Sequence, residues 1–135
     1  MELCFATGNK NKLIEINKLL EPQGFTVKGL HDIGCFEDIP ETADTLEGNA
    51  LLKAQYVWNK YGIPCFADDT GLEVYSLDNE PGVYSARYAG PQKNNLDNID
   101  LLLNNLSDKN DRKARFRTVI SLIFCLLYTS DAADD

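Results

Sequence analysis

The sequence is poor in the residues that announce disulfide, metal-cluster or membrane chemistry. It has one histidine and four cysteines, Cys4, Cys35, Cys65 and Cys125, which stand far apart and form no Cys-x-x-Cys pair. Three of them sit in apolar runs, where cysteine behaves as a small hydrophobe, so they read as buried reduced thiols rather than a disulfide framework or zinc site. A lone His31 beside Asp32 makes no metal cluster and reads as a surface residue. No run approaches the roughly 20 apolar residues of a membrane-spanning helix, and the N-terminus lacks the basic, apolar and cleavage regions of a signal peptide. The expectation is a cytoplasmic protein with no membrane partner. Positive charge is also scarce. Thirteen basic against 21 acidic residues give a net charge of −8, which argues against bulk nucleic acid as a partner, because phosphate neutralisation dominates such binding. A small polyphosphate remains open, since local lysines and a divalent cation reverse the sign inside one cleft.

With 135 residues and 44% hydrophobic content, the chain suits one globular core, and it shows no internal repeat and no linker. Glu2 to Ala6 is a short apolar run that reads as a buried strand ending at the turn residues Thr7-Gly8-Asn9. Leu13, Ile16, Leu19 and Leu20 recur at helical spacing until Pro22 and Gly24 stop the pattern. Phe25 to Leu30 alternates like a half-buried strand, and Gly34 to Ala43 is a loop rich in Gly, Pro and acids. A second helix is predicted from about Thr45 to Tyr61, with Leu51, Ala54, Trp58 and Tyr61 on one face and Asn49 with Lys53 on another. Pro64 to Ala67 reads as a buried strand that delivers Asp68, Asp69 and Thr70 at its end, and Gly71 to Tyr75 resumes extended character. Residues 78–82 are turn-rich. Leu96, Ile99, Leu103 and Leu106 mark a third amphipathic helix, and Arg115 to Phe124 a final strand. Strands alternating with helices predict an α/β fold, a mixed sheet with flanking helices, in which ligands gather at the carboxyl ends of strands.

Two polar turns carry candidate chemistry. Thr7-Gly8-Asn9-Lys10-Asn11-Lys12 joins a strand to a helix N-terminus, where backbone N–H groups and the helix dipole favour an anion. It lacks the second Gly and the Lys-Ser/Thr pair of a Walker A loop, so P-loop chemistry is not implied. Asp68-Asp69-Thr70-Gly71 supplies adjacent carboxylates, hard oxygen donors that suit Mg²⁺ bound through one or two carboxylates plus substrate phosphates. Neighbours in extended chain point to opposite faces, so one of the two aspartates reaches the metal directly, and spacing alone leaves open which. Taken singly, the first motif is better explained as an Asn-Gly turn with solvated lysines, and the second equally well as an acidic turn. Glu37-Asp38-Ile39-Pro40-Glu41-Thr42 adds further loop carboxylates, Lys53 offers a phosphate-contacting charge from a helix, and Arg87 in Ser85-Ala86-Arg87-Tyr88 either binds phosphate or pairs with an acid.

Taken in order, Thr7 to Lys12, Glu41-Thr42 with Asn49-Ala50 and Lys53-Ala54, Ala67 to Leu72, and Pro81-Gly82-Val83-Tyr84-Ser85-Ala86-Arg87-Tyr88 resemble the inosine triphosphate pyrophosphatase (Ham1-like) family. Four ordered motifs are far more specific than any one of them. The resemblance implies hydrolysis of dITP, ITP and XTP to nucleoside monophosphate and pyrophosphate by a Mg²⁺-dependent homodimeric enzyme. It implies that Thr7, Gly8, Asn9, Lys10, Asn11 and Lys12 bind the triphosphate, that Glu41 and Asp69 bind the metal, and that Asp69 is also the proton acceptor. Lys53 matches a lysine near the phosphates, and Thr70 a substrate contact where many members have Ser. A related pyrophosphatase acting on modified pyrimidine nucleotides is the alternative enzyme, which the opening loop and the Ser85 to Tyr88 segment disfavour.

The resemblance covers residues 1–124, the N-terminal part of the pyrophosphatase domain. Residues 125–135 read as an unrelated, disordered tail, and the family's later Phe-Gly-Tyr-Asp and Ser-His-Arg segments, which recognise the base, have no counterpart. The expected fold is therefore incomplete at the C-terminus, and the second functional reading is an inactive nucleotide-binding fragment.

Overall fold

A computed structural model describes residues 1–124 of the chain; the expected tail at 125–135, with Cys125, lies outside the described residues. The fold is α/β, a mixed sheet with flanking helices. Its strands are β1 (Glu2–Phe5), β2 (Thr26–Lys28), β3 (Cys65–Val74), β4 (Glu80–Gly82) and β5 (Ala114–Ile123), and its helices are α1 (Lys10–Leu20), α2 (Leu46–Tyr61) and α3 (Asn95–Asn105). The strand order is β2-β1-β3-β4, with β5 also pairing β3. No helix among the described residues is long and apolar enough to cross a membrane.

The chain forms two compact units. Among the described residues the first comprises 1–42, 50–68 and 120–124, the second 43–49 and 69–119. In the first unit β1 lies between β2 and β3, parallel to both, with Leu3 opposite Val27, and Cys4 and Phe5 opposite Cys65 and Phe66. Burial on both faces explains why β1 reads as a continuous apolar run rather than an alternation. Cys4, Ala6, Cys65 and Ala67 turn to one face, where Ala54 and Val57 of α2 cover them. Leu3, Phe5, Val27 and Phe66 turn to the other, where Leu13, Ile16 and Leu20 of α1 pack. Phe5 and Phe66 stack across the strands at 4.5 Å. Cys4, Cys35 and Cys65 are buried free thiols, as expected; burial pushes the Cys4 thiol up to about 12 and that of Cys65 to about 11.

In the second unit the C-terminal part of β3 pairs antiparallel with β4, Leu72 to Val74 against Gly82 to Glu80. The short β4 occupies the segment read as a turn, because Glu80-Pro81-Gly82 carries turn residues yet pairs as an edge strand. Helix α3 is capped by the Asn94 side chain, which accepts the Asp97 N–H.

Two expectations about faces are corrected. In α2 the buried apolar positions are Leu46, Ala50, Ala54 and Val57, while Leu51 is 44% exposed. Of the expected face, Ala54 is buried and Trp58 and Tyr61 pack on the core, but Leu51 turns outward and the small Ala50 takes a core position that a count of large side chains passes over. In α3 the apolar stripe Leu96, Ile99 and Leu103 is exposed, Leu96 at 72%, and only Leu106 beyond the helix end is buried.

Candidate active site

The turn after β1 is built by its own polar groups. Thr7 Oγ1 accepts the Asn9 N–H at 3.1 Å, and the Thr7 carbonyl accepts the Leu30 N–H, which ties the loop to the chain after β2. Asn9 caps α1, its Oδ1 accepting the N–H groups of Asn11 at 3.0 Å and Lys12 at 3.2 Å. Two of the N–H groups expected to meet an anion are thus held by the cap side chain. The helix starts at Lys10, earlier than its first apolar residue suggested. Thr7, Gly8, Asn9 and Lys10 line a small cavity of about 60 Å³ together with Leu13, Gly29, His31 and Asp32. His31 is exposed and stacks on Phe36 at 5.1 Å, which agrees with its reading as a surface residue.

The first unit also holds two of the predicted acids, each beside a predicted lysine. Lys12 Nζ lies 3.2 Å from Asp68 Oδ2, joining the loop after β1 to β3. Lys53 Nζ lies 2.9 Å from Glu41 Oε1, with the Lys53 side chain only 15% exposed. Glu41 therefore sits where a positive charge is already held. Glu37, offered by the sequence as a further loop carboxylate, is engaged instead by α2, accepting from Tyr56 Oη at 2.7 Å and pairing with Lys60. Those donors hold its carboxyl well below the usual carboxylate range.

The acids do not stand at a strand exit. β3 runs unbroken from Cys65 to Val74, so Asp68, Asp69 and Thr70 lie within it, between the residues that pair with β1 and those that pair with β4. A strand that changes partner midway leaves its central residues to side-chain chemistry, and the change is invisible to a count of apolar residues. Asp68 and Asp69 are both half-buried.

Asp69 and Thr70 belong to the second unit, where the motif's remaining residues have structural explanations. Thr70 Oγ1 is 2.7 Å from Thr118 Oγ1 on β5. A Cβ on Gly71 would lie 2.3 Å from the Gly82 carbonyl oxygen, so the close approach of β3 and β4 demands glycine here. Ser85 Oγ donates to the Gly82 carbonyl at 2.6 Å and accepts the Leu72 N–H at 2.9 Å, which binds the Ser85 to Tyr88 segment to β3. Arg87 lies 5.1 Å over the Tyr84 ring, a cation–π contact.

Glu73 and its arginine partners were not singled out in the sequence. Buried Glu73 accepts from Arg115 Nε at 2.8 Å and Arg117 Nε at 3.0 Å, and Arg117 also pairs with Glu47. Asn49, 1% exposed, accepts the Ala43 N–H at 2.9 Å through Oδ1. An apolar-to-polar alternation around Glu73 was its one available signal, whereas Asn49 stood in a motif beside Lys53 and only its burial was unexpected. Among the described residues no three His, Cys, Asp or Glu side chains converge on a metal position.

The Ham1 family profile matches residues 3–131. The chain is 62% identical over 122 residues to a dITP/XTP pyrophosphatase of Flavobacterium johnsoniae, covering 90% of this chain and 63% of that protein. It is 61% identical over 122 residues to the protein of the same name in Flavobacterium psychrophilum, covering 90% and 64%. Among solved structures, a Ham1 protein of Staphylococcus aureus superposes with a TM-score of 0.84 at 38% identity, covering 93% of this chain and 64% of that one. A HAM1 protein of Coxiella burnetii gives 0.85 at 35%, covering 91% and 63%. The chain thus spans just under two thirds of the length of the relatives it matches. On the profile match and these identities, the chain belongs to the Ham1 family.

Proposed function

We propose that this chain carries the phosphate and metal chemistry of a nucleoside triphosphate pyrophosphatase acting on dITP, ITP and XTP. The observation that carries the reading is the pairing of Lys12 with Asp68 and of Lys53 with Glu41, in a chain that is 61% and 62% identical over 122 residues to relatives named dITP/XTP pyrophosphatases. Lysines held beside carboxylates suit a site that must accept both a polyanion and a divalent cation.

In this account Thr7, Gly8, Asn9, Lys10, Asn11 and Lys12 hold the triphosphate, with Lys12 and Lys53 as its counter-charges and Thr70 as a hydroxyl contact. Glu41 and Asp69 supply carboxylate oxygens, the donor chemistry that fits Mg²⁺, an ion commonly held by one or two carboxylates plus substrate phosphates. When bound, Mg²⁺ supplies neutralisation of the triphosphate charge. Asp69 orients a water molecule and takes its proton as the water oxygen attacks the α-phosphorus. The bond from that phosphorus to the bridging oxygen breaks, and pyrophosphate leaves with the electron pair, its charge stabilised by the lysines. Asp68, ion-paired to Lys12, keeps the loop lysine oriented. A homodimer working in the cytoplasm completes the proposal.

Because the relatives are longer, turnover is proposed for the domain these residues belong to. The test is a substrate panel with Mg²⁺, in which dITP and XTP yield pyrophosphate and monophosphate much faster than dGTP or ATP. Release of single orthophosphates, or equal rates on all four nucleotides, contradicts the proposal. The second reading, a nucleotide-binding piece without turnover, predicts Mg²⁺-dependent dITP binding in calorimetry and no product.

A further inference from the structure

The loop that carries Glu41 is held by a second carboxylate whose role lies outside the motifs. Glu37 accepts from Tyr56 Oη at 2.7 Å, lies 3.4 Å from Tyr61 Oη through both of its oxygens, and pairs with Lys60. Four residues on, Glu41 pairs with Lys53 at 2.9 Å. Between them Ile39 packs on the core cluster formed by β1, β3 and α2, while Asp38, Pro40 and Thr42 are exposed. Positions 37, 39 and 41 therefore face the protein and the even positions face solvent, the period of an extended segment. Their partners Lys53, Tyr56 and Lys60 follow at i, i+3 and i+7 on one face of α2. Four extended residues span about 13 Å and seven helical residues about 10 Å, so the two sets of partners are commensurate.

Segments of period two are sensitive to register: a slip of one residue turns Glu41 to solvent and offers Pro40 or Thr42 in its place. Cys35 and Ala43 anchor the ends of the segment through their N–H groups, to the Leu30 carbonyl and to Asn49 Oδ1, and between them the apolar contact of Ile39 fixes depth but not direction. From this arrangement we infer that Glu37 is a positioning residue, which pins the register of the 36–42 segment against α2 so that Glu41 is presented at Lys53. The inference rests on the proposed role of Glu41. Pairs as exposed as Glu37 with Lys60 add little to global stability, so the role is one of placement.

The test uses the full chain with Glu37→Ala and Glu37→Gln, and with Tyr56→Phe and Lys60→Met as milder variants that each remove one donor. Amide hydrogen exchange is read across 38–43, and Mn²⁺ binding in the absence of nucleotide is read by electron paramagnetic resonance. Expected is exchange over 38–43 accelerated on the order of tenfold in Glu37→Ala, with β1 and β3 unchanged, together with a several-fold weaker Mn²⁺ affinity. Glu37→Gln, which keeps an acceptor for Tyr56, recovers part of both, and the two milder variants fall between. Wild-type exchange over 38–43 in Glu37→Ala overturns the inference, as does acceleration spread equally over β1 and β3. Absence of Mn²⁺ binding in the wild-type chain counts against the metal role of Glu41 instead, and leaves the exchange result to decide the positioning.

Discussion

A methyl group at position 71 would lie 2.3 Å from the Gly82 carbonyl oxygen and 2.7 Å from its carbon, both backbone atoms of a paired strand that cannot rotate away. Gly71→Ala is expected to destabilise by about 1–3 kcal/mol, as overpacking does, read as a lower urea midpoint. Glu73 offers a test by pH. The Arg117 guanidinium, and then that of Arg115, hold its carboxyl below the usual range. A carboxyl depressed in the folded state contributes stability above its unfolded value of about 4.3 and loses it as pH falls through the folded value. Glu73→Gln should therefore lower the thermal midpoint at pH 7, with the gap to wild type closing below about pH 4. A gap that persists unchanged in acid would assign the loss to packing rather than charge. Asp68 and Glu41 were legible as candidate acids, but the lysine each of them meets was not, because Lys12 and Lys53 stand elsewhere in the sequence.

Among the elements, α1 and β2 are joined by one side chain. Asn17 donates from Nδ2 to the carbonyls of Leu13 at 3.2 Å and Val27 at 2.9 Å, and its Oδ1 accepts the Val27 N–H at 3.0 Å. It serves β2 as a neighbouring strand would on the side away from β1. Asn17→Ala strips both backbone groups of Val27 of that partner, and such losses cost about 1–3 kcal/mol. Amide exchange at Val27 should accelerate selectively; an unchanged rate would show the contact to be idle. On the sequence Asn17 was simply a polar position of an amphipathic helix. Element positions were legible wherever apolar periodicity was strong, as in β1, α2 and β5. They were not where pairing decides, as in β4, whose Pro and Gly mimic a turn, and in β3, read as two pieces around its acids. The α3 stripe shows the converse: periodicity predicted the helix correctly, but not that Leu96, Ile99 and Leu103 would be exposed.

At the scale of the whole molecule, family membership joins the motifs into one account, and the acid within β3 is where that account is most exposed to refutation. In the proposed chemistry Asp69 takes the proton, while Asp68 and Glu41 pair with Lys12 and Lys53. General-base carboxylates contribute on the order of 10²–10⁴ in rate. The most direct measurement is pyrophosphate release from dITP with Mg²⁺ by this chain and by the Flavobacterium johnsoniae relative, each with and without the Asp69→Asn change at the matching aspartate. The account predicts that the substitution lowers release at least about 10²-fold wherever the parent is active, while Mg²⁺-dependent nucleotide binding is weakened rather than abolished. Turnover that survives the substitution in the longer protein would contradict the assignment of Asp69 and the mechanism built on it.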